Sequence, residues 1–412
     1  MLPTDIPYET LQTPADTAAV AEAVRDAGAK GLAVFPIGGG TVPFFPPARP
    51  GITLSTARLD RLIDYQADDR TVTVEAGMTI AELNKLLAEK RQWLPVDIAF
   101  PDRATVGGAI ATNAAGPRQF AYGTMRDYLL GFTAVDGMGT IFSGGGRVVK
   151  NAAGYNMCRL MTGSRGTLGI ITQATLLVWP LPEASALLAC EVADFDLAER
   201  LLAGLVRLPV HPVAVELFAG RSREGNPLVG DCPNFRVSEN GIVPFIANDG
   251  NVARLCVGFE GSAVEVEWML GRLREEWTSL GMTSPVLMPN VTTDEFWRWL
   301  VELPADETIH VLPSNLVETV AELLNVSPDC AIQADAGNGV IHVARAAGNQ
   351  RLAAASTRCE SNDDAPISPE LRVMRAIKER FDPLNILNPG FDSRMEFIPF
   401  HPKTERSEFR ST

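Results

Sequence analysis

Glycine and small polar residues form clusters at three places along the chain. They are Gly38-Gly39-Gly40-Thr41, Thr105-Val106-Gly107-Gly108 and the run from Gly163 to Ile171. Glycine permits positive φ and close backbone approach, and successive exposed amide N–H groups bind anionic or polar ligand atoms. We interpret the clusters as the binding surface of a large ligand that carries phosphates, and we expect the amides of Gly107-Gly108 and Gly166–Gly169 to be exposed to it.

The first cluster allows two interpretations when it is taken alone. Residues 31–37 are apolar and compatible with a β-strand, and a strand that runs into a glycine loop is suited to holding phosphate. A glycine triplet is as often a plain loop, and the spacing differs from the G-x-G-x-x-G of a Rossmann fingerprint. The decision therefore depends on the rest of the sequence.

Composition limits the classes of function. The 412 residues are long enough for two domains, and a net charge of −14 argues against a nucleic-acid partner or an anionic membrane surface. The six cysteines are scattered, without C-x-x-C or the spacing of zinc or iron–sulfur ligands. No leader-like N-terminus and no run of about 18 apolar residues occurs. We expect a cytoplasmic, soluble chain with no integral membrane segment.

Hydrophobic periodicity predicts the elements that position the glycine clusters. A helix is expected from Pro14 to about Asp26 with Thr13 as its N-cap, and another over 79–90, where Thr79 and Glu82 form a capping box. Apolar runs predict strands over 71–75, 129–135 and 170–178. Pro180-Leu181-Pro182 then marks a domain boundary.

The second half of the chain alternates strands and helices and contains fewer glycines. This pattern predicts an α+β sheet with helices on one face, and a polar surface loop between Gly220 and Gly250. A helix over 294–303 carries three large aromatic residues, which are usually core or interface packing. A last helix begins at Ser368-Pro369 and ends at Phe381-Asp382-Pro383.

Several motifs in order resemble the FAD-binding domain of the vanillyl-alcohol oxidase, or PCMH-type, flavoproteins. The C-terminal Phe381-Asp382-Pro383 and Asn388-Pro389-Gly390 resemble that family's last signature. Length and a weak second domain are most similar to the FAD-binding E subunits of glycolate oxidases. The matching motifs before Pro182 are Gly38–Thr41, Val74–Gly77, Ala104–Asn113, Lys150–Tyr155 and Gly163–Thr172.

The resemblance implies an α+β fold: a PCMH-type FAD-binding domain of two subdomains over 1–182, an α+β cap domain with an antiparallel sheet over 183–365, and a C-terminal helix and tail over 366–412 that return to the FAD domain. It also implies FAD contacts from each glycine cluster and from short segments beside them. The cofactor-binding residues expected are Pro36, Gly38, Gly39, Gly40, Thr41, Pro101, Thr105, Gly107, Gly108, Thr112, Ala115, Gly116, Gly163, Gly166, Thr167, Gly169, Ile170, Ile171 and Asn388.

The histidines depart from the family pattern. Many relatives attach FAD through a histidine near the glycine loop, but the four histidines here are His211, His310, His342 and His401. Histidyl attachment in the first domain is therefore excluded, and we expect non-covalent FAD. Cys158 is the alternative tether, although a cysteine between Met157 and Arg159 is more typical of packing.

The second domain gives weaker signals. Asp335–His342 resembles the family's His-x-Gly-Asp-Gly-Asn-x-His element with Asp335 where a ligand histidine would stand, and it does not make a transition-metal site. We therefore expect no metal. His342 is either a structural or pocket histidine or the candidate base, and Arg345 is the candidate carboxylate clamp, although their odd spacing on one predicted strand points them to opposite faces.

The resemblance implies an FAD-linked enzyme subunit that oxidises a small 2-hydroxy acid, glycolate or D-lactate, by hydride transfer to flavin. Since the chain lacks an iron–sulfur cysteine set, the expected electron acceptor is a partner subunit that carries clusters, or an external quinone or cytochrome. The expected partners are a second FAD-binding subunit and an iron–sulfur subunit, which would also be the route to the inner face of a membrane. Two alternatives stay open: a non-catalytic, FAD-containing structural or electron-relay subunit, and an independent oxidase of an alcohol or sugar.

Overall fold

The computed structural model describes residues 10–42, 50–146, 156–192, 194–220, 253–282, 286–288, 290–303, 305–345 and 369–389. The predicted surface loop of residues 220–250 and the Lys150–Tyr155 motif lie outside the described residues, apart from Gly220. By contact density the described chain separates into two compact units. Unit 1 holds 10–115, 123–181 and 369–389, and unit 2 holds 116–122 and 182–345.

The strands of unit 1 are β1 (Thr10–Gln12), β2 (Ala33–Ile37), β3 (Gly51–Ser55), β4 (Leu62–Gln66), β5 (Thr71–Glu75), β6 (Gln92–Trp93), β7 (Leu129–Val135), β8 (Ile141–Gly145), β9 (Ile170–Leu177) and β10 (Trp179–Pro180). The strands of unit 2 are β11 (Ala184–Val192), β12 (Ala214–Gly220), β13 (Ala253–Gly261), β14 (Val286–Met288), β15 (Glu307–His310), β16 (Ala331–Asp335) and β17 (Val340–Ala344).

The helices follow the same chain order. They are α1 (Thr17–Ala29), α2 (Ile80–Ala88), α3 (Val106–Thr112), α4 (Gln119–Tyr122), α5 (Met125–Tyr128), α6 (Met157–Met161), α7 (Phe195–Arg207), α8 (Ala263–Ser279), α9 (Asn290–Glu302), α10 (Leu316–Val326), which a 3₁₀ turn over Pro313–Asn315 precedes, and α11 (Pro369–Phe381).

In the described residues, unit 1 has two larger sheets and the two-stranded antiparallel pair of β6 and β10. A parallel sheet of order β1-β3-β2 is covered by α1, whose Val20, Val24 and Ala27 are buried against it. An antiparallel sheet of order β4-β5-β9-β7-β8 packs against α2, whose capping box between Thr79 and Glu82 confirms the prediction. The two-subdomain arrangement expected for the first domain corresponds to these two sheets.

The start of α1 was predicted wrongly. Thr10–Gln12 pair in parallel with Ile52–Leu54, so the chain is still extended at Gln12, five residues before the helix begins at Thr17. Asp16, not Thr13, is the N-cap, because its carboxylate accepts a hydrogen bond from the amide of Ala19 at 2.8 Å.

Unit 2 is one antiparallel sheet of order β14-β11-β13-β12-β16-β17-β15. One face is covered by α7, α8 and α10, and Trp277 of α8 is fully buried there with its indole N–H donating to the carbonyl of Leu201. The α+β fold class is confirmed. The prediction that helices cover a single face is wrong, because α9 packs against the opposite face.

The placement of α9 follows from the alternation of side chains along the strands. Leu188 and Cys190 point to the α7 face, whereas Leu187 and Ala189 contact the aromatic side chains of α9. The indole of Trp297 lies directly over Gly258 of β13, where a Cβ would be 2.4 Å from Trp297 Cζ2. The sheet face therefore accepts a tryptophan only because that position is glycine.

The contrast between Gly258 and Gly271 gives a stability test within unit 2. Gly258→Ala introduces a clash with a fully buried ring, and we expect it to lower the free energy of unfolding by about 1–3 kcal/mol. Gly271→Ala lies inside α8 with no heavy atom within 4 Å of the new Cβ, so it is the matched control. It is expected to raise stability by about 1 kcal/mol through helix propensity. Urea unfolding of both variants measures the two signs, and equal shifts would contradict the packing argument.

Candidate cofactor site

The glycine loop after β2 lies directly against the segment that precedes α3. A Cβ on Gly38 would be 2.1 Å from Thr105 Oγ1, and a Cβ on Gly39 would be 1.6 Å from the carbonyl oxygen of Arg103. Arg103 Nη2 donates to the carbonyl of Gly40 at 3.2 Å, and Gly40 has φ +62°. The two segments therefore meet backbone to backbone, which only glycine allows.

The second cluster is held by internal hydrogen bonds. Thr105 is the N-cap of α3, and its Oγ1 accepts from the amide of Gly108 at 3.2 Å. The amide of Gly107 donates to the carbonyl of Ala76 at 2.7 Å, and a Cβ at Gly107 would be 2.8 Å from that of Ala76. The expectation that these two amides are exposed to a ligand is therefore wrong, since the Gly107 amide docks the helix against Ala76 and the Gly108 amide donates to its N-cap residue.

The third cluster is a loop between α6 and β9 that packs on the C-terminal end of α3. The amides of Gly163 and Arg165 donate to the carbonyls of Ile110 and Ala111 at 3.0 and 2.8 Å. Gly163, Arg165 and Gly166 all have positive φ, at 81°, 52° and 70°. Burial lowers the pKa of the Arg165 guanidinium. The turn thus places a cationic side chain in the same loop as the flexible glycines.

Asn388 and Pro36 complete this loop. Asn388 Nδ2 donates to the carbonyl of Arg165 at 2.7 Å, and a Cβ on Gly166 would be 2.7 Å from Pro36 Cγ and 3.2 Å from Asn388 Nδ2. The structure therefore brings together three predicted cofactor residues that lie far apart in sequence.

The remaining predicted cofactor residues fall into two groups. Ile170 and Ile171 begin β9 opposite Val135 and Ala134 with their side chains buried, so only their backbone, and that of Gly169, is available to a ligand. The others flank the clusters. The hydroxyls of Thr112 and Thr167 donate to the carbonyls of Gly108 and Ser164. The carbonyl of Pro101 accepts from the amide of Ala81, and Thr41 follows Gly40. Ala115 ends the first segment of unit 1, and Gly116 begins the 116–122 segment of unit 2.

Polar atoms without partners show what the clusters can hold. Among the described residues, none accepts a hydrogen bond from the amides of Gly39 or Gly40. The hydroxyl of Ser164 is buried and has no hydrogen-bond partner in the described part of the chain. Two adjacent amides and a hydroxyl suit the phosphates and ribityl hydroxyls of a dinucleotide. These three clusters, which we call the glycine cradle, fit FAD.

Several residues that shape the glycine cradle were not predicted from the sequence. Arg103 Nη2 donates to the glycine-loop carbonyls, and Lys378, which pairs with Asp382, donates to the carbonyl of Thr167 from the C-terminal segment. Asp382 lies in the C-terminal Phe381-Asp382-Pro383 signature, but only the fold shows what it contacts. No local sequence signal points to Lys378, because its partners come from distant parts of the chain.

Polar and charged side chains lie on the face of the unit 2 sheet that α9 covers in part. We call Glu216, Glu260, Gln333, Asp335 and His342 the polar face. The carboxylate of Glu260 accepts from Arg118 Nη1 at 2.8 Å and from the hydroxyl of Tyr122 at 2.7 Å, and its side chain is 1% exposed. Segment 116–122 is thereby bound to unit 2, which its position in the sequence did not indicate.

Asp335 is the second buried acid of the polar face. Its carboxylate accepts from Asn338 Nδ2 at 2.7 Å and from Gln119 Nε2 at 3.3 Å. Burial raises the pKa of Asp335, and the hydrogen bonds oppose that effect only in part. Glu216, its direct neighbour on β12, is fully buried and accepts from Gln333.

The two predicted catalytic residues lie in unit 2. His342 Nδ1 is 3.0 Å from Thr308 Oγ1, and burial, with the nearby charge of His310, lowers its pKa to about 4. Arg345 lies just beyond β17 rather than on it, which corrects the single-strand prediction. Its guanidinium pairs with Glu307, and its amide donates to Asp306. Its charge is already balanced, so this geometry does not favour it as a carboxylate clamp.

The comparisons with known proteins bear on both units. Residues 9–145 match the family described as "FAD binding domain", and residues 367–391 match "FAD linked oxidases, C-terminal domain". The chain thus carries an FAD-binding domain and the C-terminal domain of FAD-linked oxidases, and its relatives are PCMH-type FAD flavoproteins. It is therefore an oxidoreductase with FAD as its cofactor.

Individual relatives align along most of the chain. The D-2-hydroxyglutarate dehydrogenase of Xanthomonas citri pv. viticola is 29% identical over 92% of this chain and 87% of that protein. The glycolate oxidase subunit GlcE of Escherichia coli is 27% identical over 82% of this chain and 87% of that subunit. A solved alkyldihydroxyacetonephosphate synthase superposes with a TM-score of 0.65 at 20% identity, covering 92% of this chain and 75% of that one, and it shows the shared fold.

Cys158 is a poor candidate for covalent attachment in this flavoprotein. It lies in α6, is buried, and its thiol donates to the carbonyl of Leu130 at 3.3 Å. Burial raises the pKa of this thiol, which keeps it protonated and unreactive. The described cysteines Cys190, Cys256 and Cys330 are likewise buried.

The described residues were also compared with the requirements of a metal site and of a membrane span. No group of three or more His, Cys, Asp or Glu side chains in the described ranges could hold a metal ion. No helix in the part of the chain that the structure describes is long and apolar enough to cross a membrane.

The close approach at Gly39 gives a test of the glycine cradle. Gly39→Ala forces the loop away from Arg103, and we expect it to raise the dissociation constant for FAD tenfold or more. Gly146→Ala, in the same unit, meets no heavy atom within 4 Å and is the control. Titration of apoprotein with FAD, followed by quenching of flavin fluorescence, measures both. An unchanged dissociation constant in Gly39→Ala would rule out the loop as a binding element.

Burial of His342 predicts a pH dependence of stability. Its pKa is about 4 in the folded chain, against 6.5 for a histidine side chain exposed to water. Between these pH values the unfolded chain therefore binds more protons than the folded chain. Stability should fall as pH drops below 6.5, by about 2 kcal/mol from pH 7.5 to pH 5 for this residue alone. Urea unfolding at both pH values should show a smaller decrease for His342→Gln than for the exposed control His211→Gln. Equal decreases would mean that His342 is not buried as described.

Proposed function

We propose that this protein is the FAD-binding subunit of a glycolate oxidase- or dehydrogenase-type complex and that it oxidises a small 2-hydroxy acid, glycolate or D-lactate. The observation that carries the proposal is the alignment of both units, over 82% to 92% of the chain, with a glycolate oxidase subunit and a 2-hydroxy-acid dehydrogenase. A match limited to the FAD-binding domain would support only cofactor binding.

In this proposal FAD would be held non-covalently, and when bound it would supply the hydride-transfer chemistry for the α-carbon of the substrate. The chain contributes cofactor binding through the backbone of Gly38–Gly40 and of the 163–171 loop, and Thr105–Gly108 hold the glycine loop in place. Main-chain contacts suit a long dinucleotide, because they need no particular side chain. Precipitation of the protein with acid should release all the flavin into solution.

The reaction also needs a group that accepts the hydroxyl proton. His342 is the proposed base. Its pKa of about 4 leaves the imidazole neutral at physiological pH, which is the form that accepts a proton. Thr308 Oγ1, 3.0 Å from Nδ1, orients the ring. The low pKa makes it a weak base, so its contribution would be at the lower end of general-base catalysis.

Electrons then have to leave the subunit. The six cysteines do not have the spacing of an iron–sulfur site. We therefore propose a second FAD-binding subunit and an iron–sulfur subunit as partners, which would also bring a cytoplasmic chain to the inner face of a membrane. Purification of the tagged protein from its native cell should yield both partners, and an isolated chain with full turnover would contradict this part of the proposal.

A second candidate function is a non-catalytic, FAD-containing structural or relay subunit of the same kind of complex. The pairing of Arg345 with Glu307 favours it, because the proposed clamp for the substrate carboxylate is already neutralised. The polar face also carries more buried acids than bases, which disfavours an anionic substrate.

Direct reduction of the flavin separates the two candidates. Anaerobic addition of glycolate or D-lactate to the full-length holoprotein should bleach the visible flavin band if the chain is catalytic. His342→Gln should slow the bleaching by about 10²-fold or more while leaving FAD affinity unchanged. No bleaching by any 2-hydroxy acid, with bleaching in the partner-containing complex, would assign the chemistry to another subunit. Release of hydrogen peroxide without partners would instead indicate an independent oxidase.

A further inference from the structure

An ion pair with one fully buried partner lies at the end of α11. Lys378, on the last turns of α11, pairs with Asp382, whose side chain is fully buried. Lys378 Nζ also donates to the carbonyl of Thr167 at 2.8 Å and to that of Leu387 at 2.9 Å. One ammonium group therefore joins the end of α11, the turn after it and the loop of the third glycine cluster.

Asp382 shapes the turn that follows α11. Its Oδ1 accepts from the amide of Ile386 at 3.0 Å, and its Oδ2 accepts from the amide of Leu387 at 2.8 Å. Gly137 donates its amide to the carbonyl of Phe381, and a Cβ at that glycine would be 2.2 Å from Asp382 Oδ1. The carboxylate is thus enclosed by backbone and satisfied mainly by backbone amides and one lysine.

The turn then pairs with the strand that leads into the glycine loop. The amide of Val34 donates to the carbonyl of Ile386 at 2.7 Å, and the amide of Asn388 donates to the carbonyl of Val34 at 3.0 Å. Val34 lies in β2, four residues before Gly38. The side chain of Asn388 also bonds to the 163–167 loop, because its Nδ2 donates to the carbonyl of Arg165. We call Lys378, Asp382, Leu387 and Asn388 the C-terminal latch.

We propose that the C-terminal latch is a positioning device for FAD. It fixes the loop of residues 163–167 relative to β2, so that the first and third glycine clusters keep the spacing that the cofactor needs. FAD binding and docking of the C-terminal segment are then coupled, and each strengthens the other by the same factor. Lys378 is the central residue, because its one ammonium group bonds to both the latch turn and the 163–167 loop.

A purely structural role predicts a different outcome. A buried ion pair that only stabilises unit 1 would lower its melting temperature when broken, without a specific effect on the cofactor. Gln92 offers a control in the same unit. It is buried and bonds through its side chain to the hydroxyl of Tyr65 and to the carbonyl of Ala67 at 2.9 and 2.8 Å.

The test compares Lys378→Met with Gln92→Leu in the full-length apoprotein. Both variants should lose melting temperature. Titration with FAD should show a dissociation constant at least tenfold higher for Lys378→Met and within twofold of wild type for Gln92→Leu. Equal dissociation constants at equal loss of melting temperature would overturn the proposal.

Hydrogen exchange of the wild-type chain provides a second test that needs no variant. On FAD binding, the amides of Ile386 and Leu387 should gain more protection than those of β5 in the same unit. An equal gain in both places would contradict coupling through the latch.

The inference rests on FAD binding at the glycine cradle, and the experiments separate the two claims. A wild-type chain that takes up no FAD would count against the cofactor site itself. A wild-type chain that binds FAD, with a Lys378→Met variant that binds it equally well, would count against the latch alone.

Discussion

The cofactor-binding unit depends on one close approach between two stretches of backbone. Gly39 lies so near the carbonyl of Arg103 that a single methyl group would overlap it, and Gly38 is in the same relation to the hydroxyl of Thr105. Side chains at these positions would separate the loop from the start of α3. Because the approach excludes side chains, the groups left to bind a ligand are amides and hydroxyls. The preference for a phosphate-bearing cofactor follows from that constraint.

Several other features of unit 1 maintain this approach. Gly107 docks α3 against Ala76, so that helix cannot move outward from the sheet side. Lys378 and Asn388 hold the third cluster to β2 from the opposite end of the sequence. Each contact involves a backbone carbonyl or amide. Unit 1 can therefore tolerate much change of side chains, which is consistent with a shared fold at 20% identity.

The sequence predicted those parts of the molecule whose signals are local. The capping box of Thr79 and Glu82, the strands over 71–75 and 129–135, and the glycine clusters all depend on residues close together in the chain. Predictions failed where distant residues decide. Gly107 serves helix docking rather than a ligand, residues 116–122 belong to unit 2, and α9 lies on the second face because Gly258 admits Trp297. None of these has a signature within a short window.

The polar face of unit 2 depends on side chains rather than on backbone groups, and its function is therefore harder to derive. There the chemistry lies in charged side chains: Arg118 neutralises Glu260, burial raises the pKa of Asp335, and burial lowers that of His342. Burial thus favours the neutral form of both Asp335 and His342, whereas Glu260 is balanced by a paired cation. A single substitution among them would alter the charge balance of this face. Cofactor binding by unit 1 therefore depends on its backbone, whereas the charge of the polar face depends on a few side chains of unit 2.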